Sequence, residues 1–341
     1  MKTDIKSMDL TELGIFLEGI GEKKFRAKQI FSWLYKGIYD FGEMTDLSKE
    51  LREKLEDNAY IEKLEIQKLQ ISESDGTRKY LFGLRKGNAI ESVFLKYKYG
   101  NSVCISSQAG CRMGCGFCAS AIGGLAYNLT PAEMADQIIA IEKNTGERVG
   151  NIVVMGTGEP FDNYNNLCRF IELMHTKEGL NISLRAITVS TCGIIPKIEA
   201  FGQEYPQVNI AISLHAPNDR LRNQLMPISR KYPMDELLSA CRKHTEKTGR
   251  RITFEYALIK GFNDTEGHAK ELASKLSHML CHVNLIPLNP VTEREYAGSD
   301  RKTAERFLAV LEEKGIQATV RRELGTEIDA ACGQLRLNRN G

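Results

Sequence analysis

The sequence predicts an α/β protein, an incomplete (βα)6 barrel core over residues 101–341 preceded by a small helical N-terminal domain (1–65) and a β extension (66–100). Three observations predict it. From residue 103 onward, short β-rich runs alternate with helical stretches, the habit of a parallel βα array. There are six such runs, two fewer than a closed eightfold barrel uses. Before residue 66 the periodicity is helical. A doubly wound open sheet gives the same alternation and stands as the alternative.

Within residues 23–36, Phe25, Ile30, Trp33 and Leu34 fall on one side of a helix with Lys24 and Lys28 opposite. Phe31 and Tyr35 fall on the basic side, so the module is expected to bury rings on both faces. At residue 66 the pattern changes. Alternation over Ile66 to Ile71 is poor, but Asp75-Gly76 between the runs 69–72 and 80–84 signals a hairpin, and 90–97 reads as a third strand. The barrel runs are 103–107, 151–155, 184–190, 208–214, 253–259 and 283–287. Thr130-Pro131-Ala132-Glu133 opens the helix after the first run with an N-cap threonine, a proline in the first turn and a capping-box glutamate.

Composition narrows the class. Hydrophobic residues at 42% and charged residues at 26% match soluble globular proteins and exclude disordered, collagen-like and membrane compositions. No apolar run approaches the ~18 residues of a membrane span, and the opening Met1-Lys2-Thr3-Asp4-Ile5-Lys6 lacks the apolar stretch of a signal peptide. A cytoplasmic monomer is expected. Nine cysteines, an odd number, cannot all pair, and clustered thiols in a reducing compartment point to metal or catalysis. With a net charge of only +2, attraction to nucleic acid needs local patches; 66–100 carries seven Lys/Arg against three Asp/Glu, and 219–251 nine against four. Ordinary solvated faces would look the same.

The strongest motif is Cys111-Arg112-Met113-Gly114-Cys115-Gly116-Phe117-Cys118, directly after the first barrel run. Three thiolates from one loop can hold three irons of a [4Fe-4S] cluster and leave the fourth open to a small ligand. A structural zinc site would want a fourth ligand and more usually CxxC pairs; a buried cysteine group is the other alternative. Gly158, Glu159, Ser190, Ser213, Leu214, His215 and Asn289 all fall at C-terminal ends of the runs, which in a parallel barrel form one mouth. Glu159 can accept hydrogen bonds from a cationic amino group. Cys168, Cys192, Cys241 and Cys281 lack ligand spacing and read as packing residues.

The cysteine loop resembles the signature of radical S-adenosylmethionine (SAM) enzymes, whose core is a TIM-type radical-SAM barrel. Together with 104–111 (Cys-Ile-Ser-Ser-Gln-Ala-Gly-Cys), Gly156-Thr157-Gly158-Glu159-Pro160, Ser213-Leu214-His215 and 329–335 (Asp-Ala-Ala-Cys-Gly-Gln-Leu), it resembles the RlmN-type adenine C2 methyltransferases over nearly the whole chain. The family more often has Met at the place of Thr157. The resemblance implies methylation of C2 of adenosine 2503 in 23S rRNA and adenosine 37 in tRNA. It implies a [4Fe-4S] cluster on Cys111, Cys115 and Cys118, and two SAM molecules per turnover, held by Gly158, Glu159, Ser190, Ser213, Leu214, His215 and Asn289. In the implied scheme Cys332 takes a methyl group from one SAM. A 5′-deoxyadenosyl radical from the other removes a hydrogen atom from it, and the methylene radical adds to the base. Cys104 then releases the product by a disulfide with Cys332, and Glu91 accepts the proton. An electron donor such as flavodoxin or ferredoxin is implied as partner. The Cfr-type C8 methyltransferases share most of these motifs, and Pro160 favours the C2 enzymes. A non-catalytic iron–sulfur RNA-binding protein would leave Glu159, Cys104 and Cys332 without a use.

Overall fold

The computed structural model describes residues 2–85, 87–322, 324–330 and 333–335. Helix α1 (Leu10–Gly19) starts at Asp9, which accepts from the Thr11 and Glu12 amides while Glu12 returns a bond to the Asp9 amide. A 3-10 turn (Lys24–Arg26) leads into α2 (Ala27–Tyr35), and Ser48 caps α3 (Lys49–Asn58). Strands β1 (Thr3–Asp4) and β2 (Ala59–Tyr60) pair in parallel and join the two ends of this module.

The buried face of α2 is not the expected one. Ala27, Ile30, Phe31, Leu34 and Tyr35 face inward, a continuous i, i+3, i+4, i+7, i+8 stripe, with Phe31 and Tyr35 stacked at 4.4 Å. Phe25 is 60% exposed. It lies in the 3-10 turn, where the α-helical phase has not yet begun, and so cannot anchor that stripe. The module is welded to the barrel through a fully buried ion pair between Lys6 and Asp136. Asp136 also accepts from the Tyr39 hydroxyl at 2.9 Å and the Leu64 amide at 2.6 Å, and Lys6 donates to the Glu62 carbonyl at 3.2 Å. Those added bonds are what make a charge tolerable away from water.

The main sheet has ten strands in the order β14-β13-β12-β11-β10-β9-β6-β5-β4-β3. Strands β3 (Glu65–Ile71), β4 (Arg78–Gly83) and β5 (Ala89–Tyr97) form an antiparallel meander, and β5 pairs antiparallel with β6 (Gly100–Ile105). The β3–β4 turn holds Asp75 and Gly76, the latter at φ +73°. From β6 the ladder is parallel through β9 (Asn151–Val154), β10 (Ile187–Thr191), β11 (Asn209–Ser213), β12 (Ile252–Leu258), β13 (Cys281–Pro287) and β14 (Ala318–Val320). A small antiparallel pair, β7 (Gln108–Gly110) and β8 (Leu125–Asn128), frames the cysteine loop.

Helices follow the parallel strands in turn: α4 (Pro131–Thr145), α5 (Tyr164–His175), α6 (Ile195–Glu204), α7 (Asp219–Leu225) with α8 (Met234–Thr248), α9 (Glu266–Leu276) and α10 (Arg301–Glu313). These make six βα units, as expected, with the short β14 added at the edge. Among the described residues no ladder joins β14 back to the other edge, so the barrel is incomplete. The Thr130 capping box is present and Gly146, at φ +69°, ends α4. The third run starts later than the sequence suggests. Ser183 accepts from the Arg185 amide at 3.3 Å and holds 184–186 in a 3-10 turn, so the strand begins at Ile187. Among the described residues no helix is long and apolar enough to cross a membrane.

Candidate active site at the cysteine loop

The strand ends do converge. Cys111, Cys115 and Cys118 line one cavity with Gly158, Glu159, Ser190, Ser213 and His215. The turn after β9 explains why two glycines stand there. A Cβ on Gly156 would lie 2.7 Å from the Ile105 carbonyl oxygen, and one on Gly158, at φ +110°, 2.6 Å from Gln108, so only glycine lets the two loops touch. Between them the Thr157 amide donates to Ser106 Oγ at 2.9 Å. The Thr157 side chain is buried outside the cavity wall, and among the described residues its hydroxyl has no hydrogen-bond partner. The departure from the family's usual residue therefore lies behind the pocket.

Glu159 is buried and aimed: Oε1 accepts from the Phe161 amide at 3.0 Å and Oε2 from the Cys192 amide at 2.8 Å. Burial raises its pKa against those bonds. Gln108 supports the same turn, accepting from the Glu159 amide at 2.8 Å and donating to Asn128 at 2.7 Å and Asp162 at 2.9 Å. Ser190 and Ser213 place their hydroxyls 3.5 Å apart on adjacent strands. His215 adopts φ +56°, its Nδ1 accepts from the Ala257 amide at 3.0 Å, and Phe117 meets its ring edge-on. Burial, then the Arg222 charge, pushes its pKa down to about 3, so the ring is neutral near pH 7.

A neighbouring pocket shares Met155, Ile286, Arg321 and Leu335 with the first and holds Cys104 and Asn289. Cys104 packs with Val93, Leu95, Ile328, Ala330 and Leu335. The tail is also tied to the cysteine loop: the Ala119 amide donates to the Gly333 carbonyl at 2.9 Å and Ser120 Oγ to the Leu335 carbonyl at 2.6 Å. Cys332 lies outside the described residues. Leu214 is buried with its amide on the Glu255 carbonyl at 3.0 Å and lines neither pocket. Glu91 lines neither as well; it pairs with Lys79 at 3.4 Å, and Lys79 donates to the Asp329 carbonyl at the base of the tail.

The donor set fits an iron–sulfur cluster. Burial raises the pKa of all three thiols, Cys111 to about 12, and Cys118 raises Cys111 and Cys115 further; a soft cation is what such a group needs to deprotonate. Among the described residues no three His, Cys, Asp or Glu side chains converge on a single-ion site. A cluster that takes one thiolate per iron spreads its sulfurs across one face instead.

A family model described as the ribosomal RNA large subunit methyltransferase N-terminal domain matches residues 3–61, and one for the radical SAM superfamily matches residues 105–273. Proteins named "Probable dual-specificity RNA methyltransferase RlmN" are similar over nearly the whole chain. That of Lachnospira eligens is 53% identical over 98% of this chain and 96% of its own length; that of Thermoanaerobacter sp. is 52% identical over 98% and 97%. The chain belongs to the RlmN family of radical-SAM RNA methyltransferases. A crystal structure of a radical SAM methyltransferase from Sphaerobacter thermophilus superposes on this RlmN-family fold with a TM-score of 0.94, at 43% identity, covering 98% of this chain and 99% of the other. The cofactors of an RlmN-family enzyme are a [4Fe-4S] cluster and SAM.

Sequence reasoning passed over several residues of this RlmN-family site. Cys192, expected only to pack, lines the cavity and orients Glu159. Glu255 lines it too, its pKa raised by burial and its Oε2 taking a 2.8 Å bond from Asn284. A carboxylate in the middle of the apolar run 253–259 was the available signal, since buried charge is rare without a use.

Proposed function

We propose that this RlmN-family chain methylates C2 of adenosine 2503 in 23S rRNA and of adenosine 37 in tRNA, through a methyl-cysteine at Cys332. The observation that carries the reading is how the tail is held. On one side of Cys332, Ile328 and Ala330 belong to the apolar cluster around Cys104; on the other, Gly333 lines the cavity with the three loop cysteines. The described residues on the two sides of position 332 thus meet the Cys104 cluster and the cysteine-lined cavity, which supports the reading.

Cys111, Cys115 and Cys118 would hold the cluster, which together with SAM would supply radical chemistry able to abstract hydrogen. Gly158, Glu159, Ser190, Ser213 and His215 would bind and orient SAM, with Leu214 buried between Ser213 and His215 behind the wall and Asn289 in the adjacent pocket. The Cys332 thiolate displaces a methyl group from one SAM. After that methyl group has lost a hydrogen atom and its carbon has bonded to the base, Glu91 would take the proton from C2 and one electron would return to the cluster. The Cys104 thiolate would then attack Cys332 sulfur and break the thioether, the released carbon would take up a proton to become the methyl group, and a Cys104–Cys332 disulfide would remain for external reduction. The enzyme acts in the cytoplasm as a monomer, with a flavodoxin or ferredoxin as electron donor. Digestion of RNA treated with the protein, SAM and a reductant, compared against both synthetic standards, tests this. The expected product is 2-methyladenosine. A main product of 8-methyladenosine overturns the choice of carbon, and unmodified RNA from cluster-loaded protein overturns the catalytic reading.

A further inference from the structure

The site reading leaves one buried charge unused. Arg222, on α7, is fully buried, and among the described residues no carboxylate lies within ion-pairing distance of it. Among the described residues its guanidinium reaches only neutral acceptors, the Cys192 carbonyl at 2.7 Å, the Ser213 carbonyl at 3.4 Å and the Tyr232 carbonyl at 3.5 Å, and Nε has no partner. The nearby carboxylate on the same helix, Asp219, is engaged by the Met234 amide at 2.8 Å. A permanent cation held away from water without a counter-charge is costly unless an anion is supplied.

The fold shows where that anion comes from. The Gly116 amide donates to the Leu225 carbonyl at 2.8 Å, so the end of α7 lies directly on the cysteine loop one turn after Arg222. Cys192 and Ser213, whose carbonyls the guanidinium grips, both line the cavity with Cys111, Cys115 and Cys118. The charge of Arg222 thus stands one residue behind the wall.

We propose that Arg222 is a positioning residue that sets the charge balance of the cysteine-held cluster, supplying the cation that favours its reduced form. This rests on the cluster assignment above. Three thiolates give a [4Fe-4S]2+ unit one net negative charge, and one electron from the external reductant makes it two. A fixed positive charge in a dry wall favours the second state over the first, and neutral His215 on the same side does not oppose it. A structural clamp between the loops after β10 and β11 would need the hydrogen bonds but not the charge.

The test separates these two in full-length, anaerobically reconstituted protein, by iron and sulfide content and a redox titration followed by electron paramagnetic resonance. R222Q keeps hydrogen bonding without charge; R222K keeps charge but cannot span the three carbonyls. For R222Q we expect a loaded cluster whose reduced-to-oxidised ratio at fixed potential falls about tenfold, a downward midpoint shift of about 59 mV for one electron. R222K should melt at lower temperature yet keep the wild-type midpoint. R222Q titrating with wild type overturns the proposal, and so does R222K shifting as far down as tenfold, which decides the matter alone should R222Q not fold. A wild-type chain that takes up no cluster overturns the cluster assignment and this inference together, whereas a loaded wild type with an unmoved R222Q overturns this inference only.

Discussion

The cavity beneath the cysteine loop and the pocket around Cys104 share four wall residues but are built in opposite ways. The first is made of strand ends and tight turns. Gly156, Gly158 and His215 lock backbone against backbone, and the Phe161 and Cys192 amides both donate to Glu159. The second is made by the tail lying over β5 and β6, held by an apolar cluster and a few polar ties such as Asp75 to the Gly325 amide at 2.9 Å. The cavity is thus set in rigid scaffold, and the described part of the tail lies across the second pocket as a strap.

Each expectation that follows presses on that division. The largest effect should come from changing Cys111, Cys115 and Cys118 together to alanine: iron and sulfide fall to background and methylation stops, while circular dichroism stays native. Normal cluster content in that variant would remove the loop from the chemistry altogether. Cys104→Ala strikes the strap side alone. The cluster should load normally, turnover should stall after bonding to the base, and a covalent protein–RNA species should accumulate on denaturing gels; release of methylated RNA at the normal rate would make Cys104 a packing residue.

Asp75→Ala removes the bonds to Thr77 and Gly325, each 2.9 Å. Loosening the tail should lower methylation about tenfold, roughly 1.4 kcal/mol in the barrier, with cluster content unchanged; equal loss of both would show that the two regions are one cooperative unit.

Two smaller effects probe the rigid side. His215 has a pKa depressed from 6.5 to about 3 by burial and by Arg222. Its neutral form therefore contributes stability that is fully present above pH 6.5 and is lost as pH falls toward 3. Denaturant midpoints of His215→Asn should fall less steeply than wild type between pH 6.5 and 4, by up to ~1.4 kcal/mol per pH unit; parallel curves would show that the ring protonates freely in the fold. Thr157→Val replaces an orphaned buried hydroxyl and should stabilise the chain by ~1 kcal/mol with methylation unaffected. A stability loss in thermal melts would mean that the hydroxyl has a partner.

The same division decides what the sequence made legible. Cys111, Cys115, Cys118, Gly158 and Glu159 sit in short contiguous motifs because one loop or one turn places them, and Ser190, Ser213 and His215 follow from knowing that strand ends converge. Cys192 and Glu255 carry no motif, since the cavity recruits the first through its amide and the second across two strands. The face of α2 was misplaced because periodicity was read through Phe25, where the backbone is still a 3-10 turn. Strand β14 is three residues long, too short for alternation to register. Arg222 reads as one charge in a basic segment; only its burial shows that it points inward.

The Lys6–Asp136 pair has a mechanical meaning. Pulling the N-terminal module from α4 would strand two opposite charges in an apolar seam that also holds Tyr35 and Tyr39, and neither could be solvated until the whole seam opened. The module therefore travels with the barrel as one piece. Its outer face keeps a set distance from the cysteine loop, so the one buried pair acts as the rivet of a fixed frame.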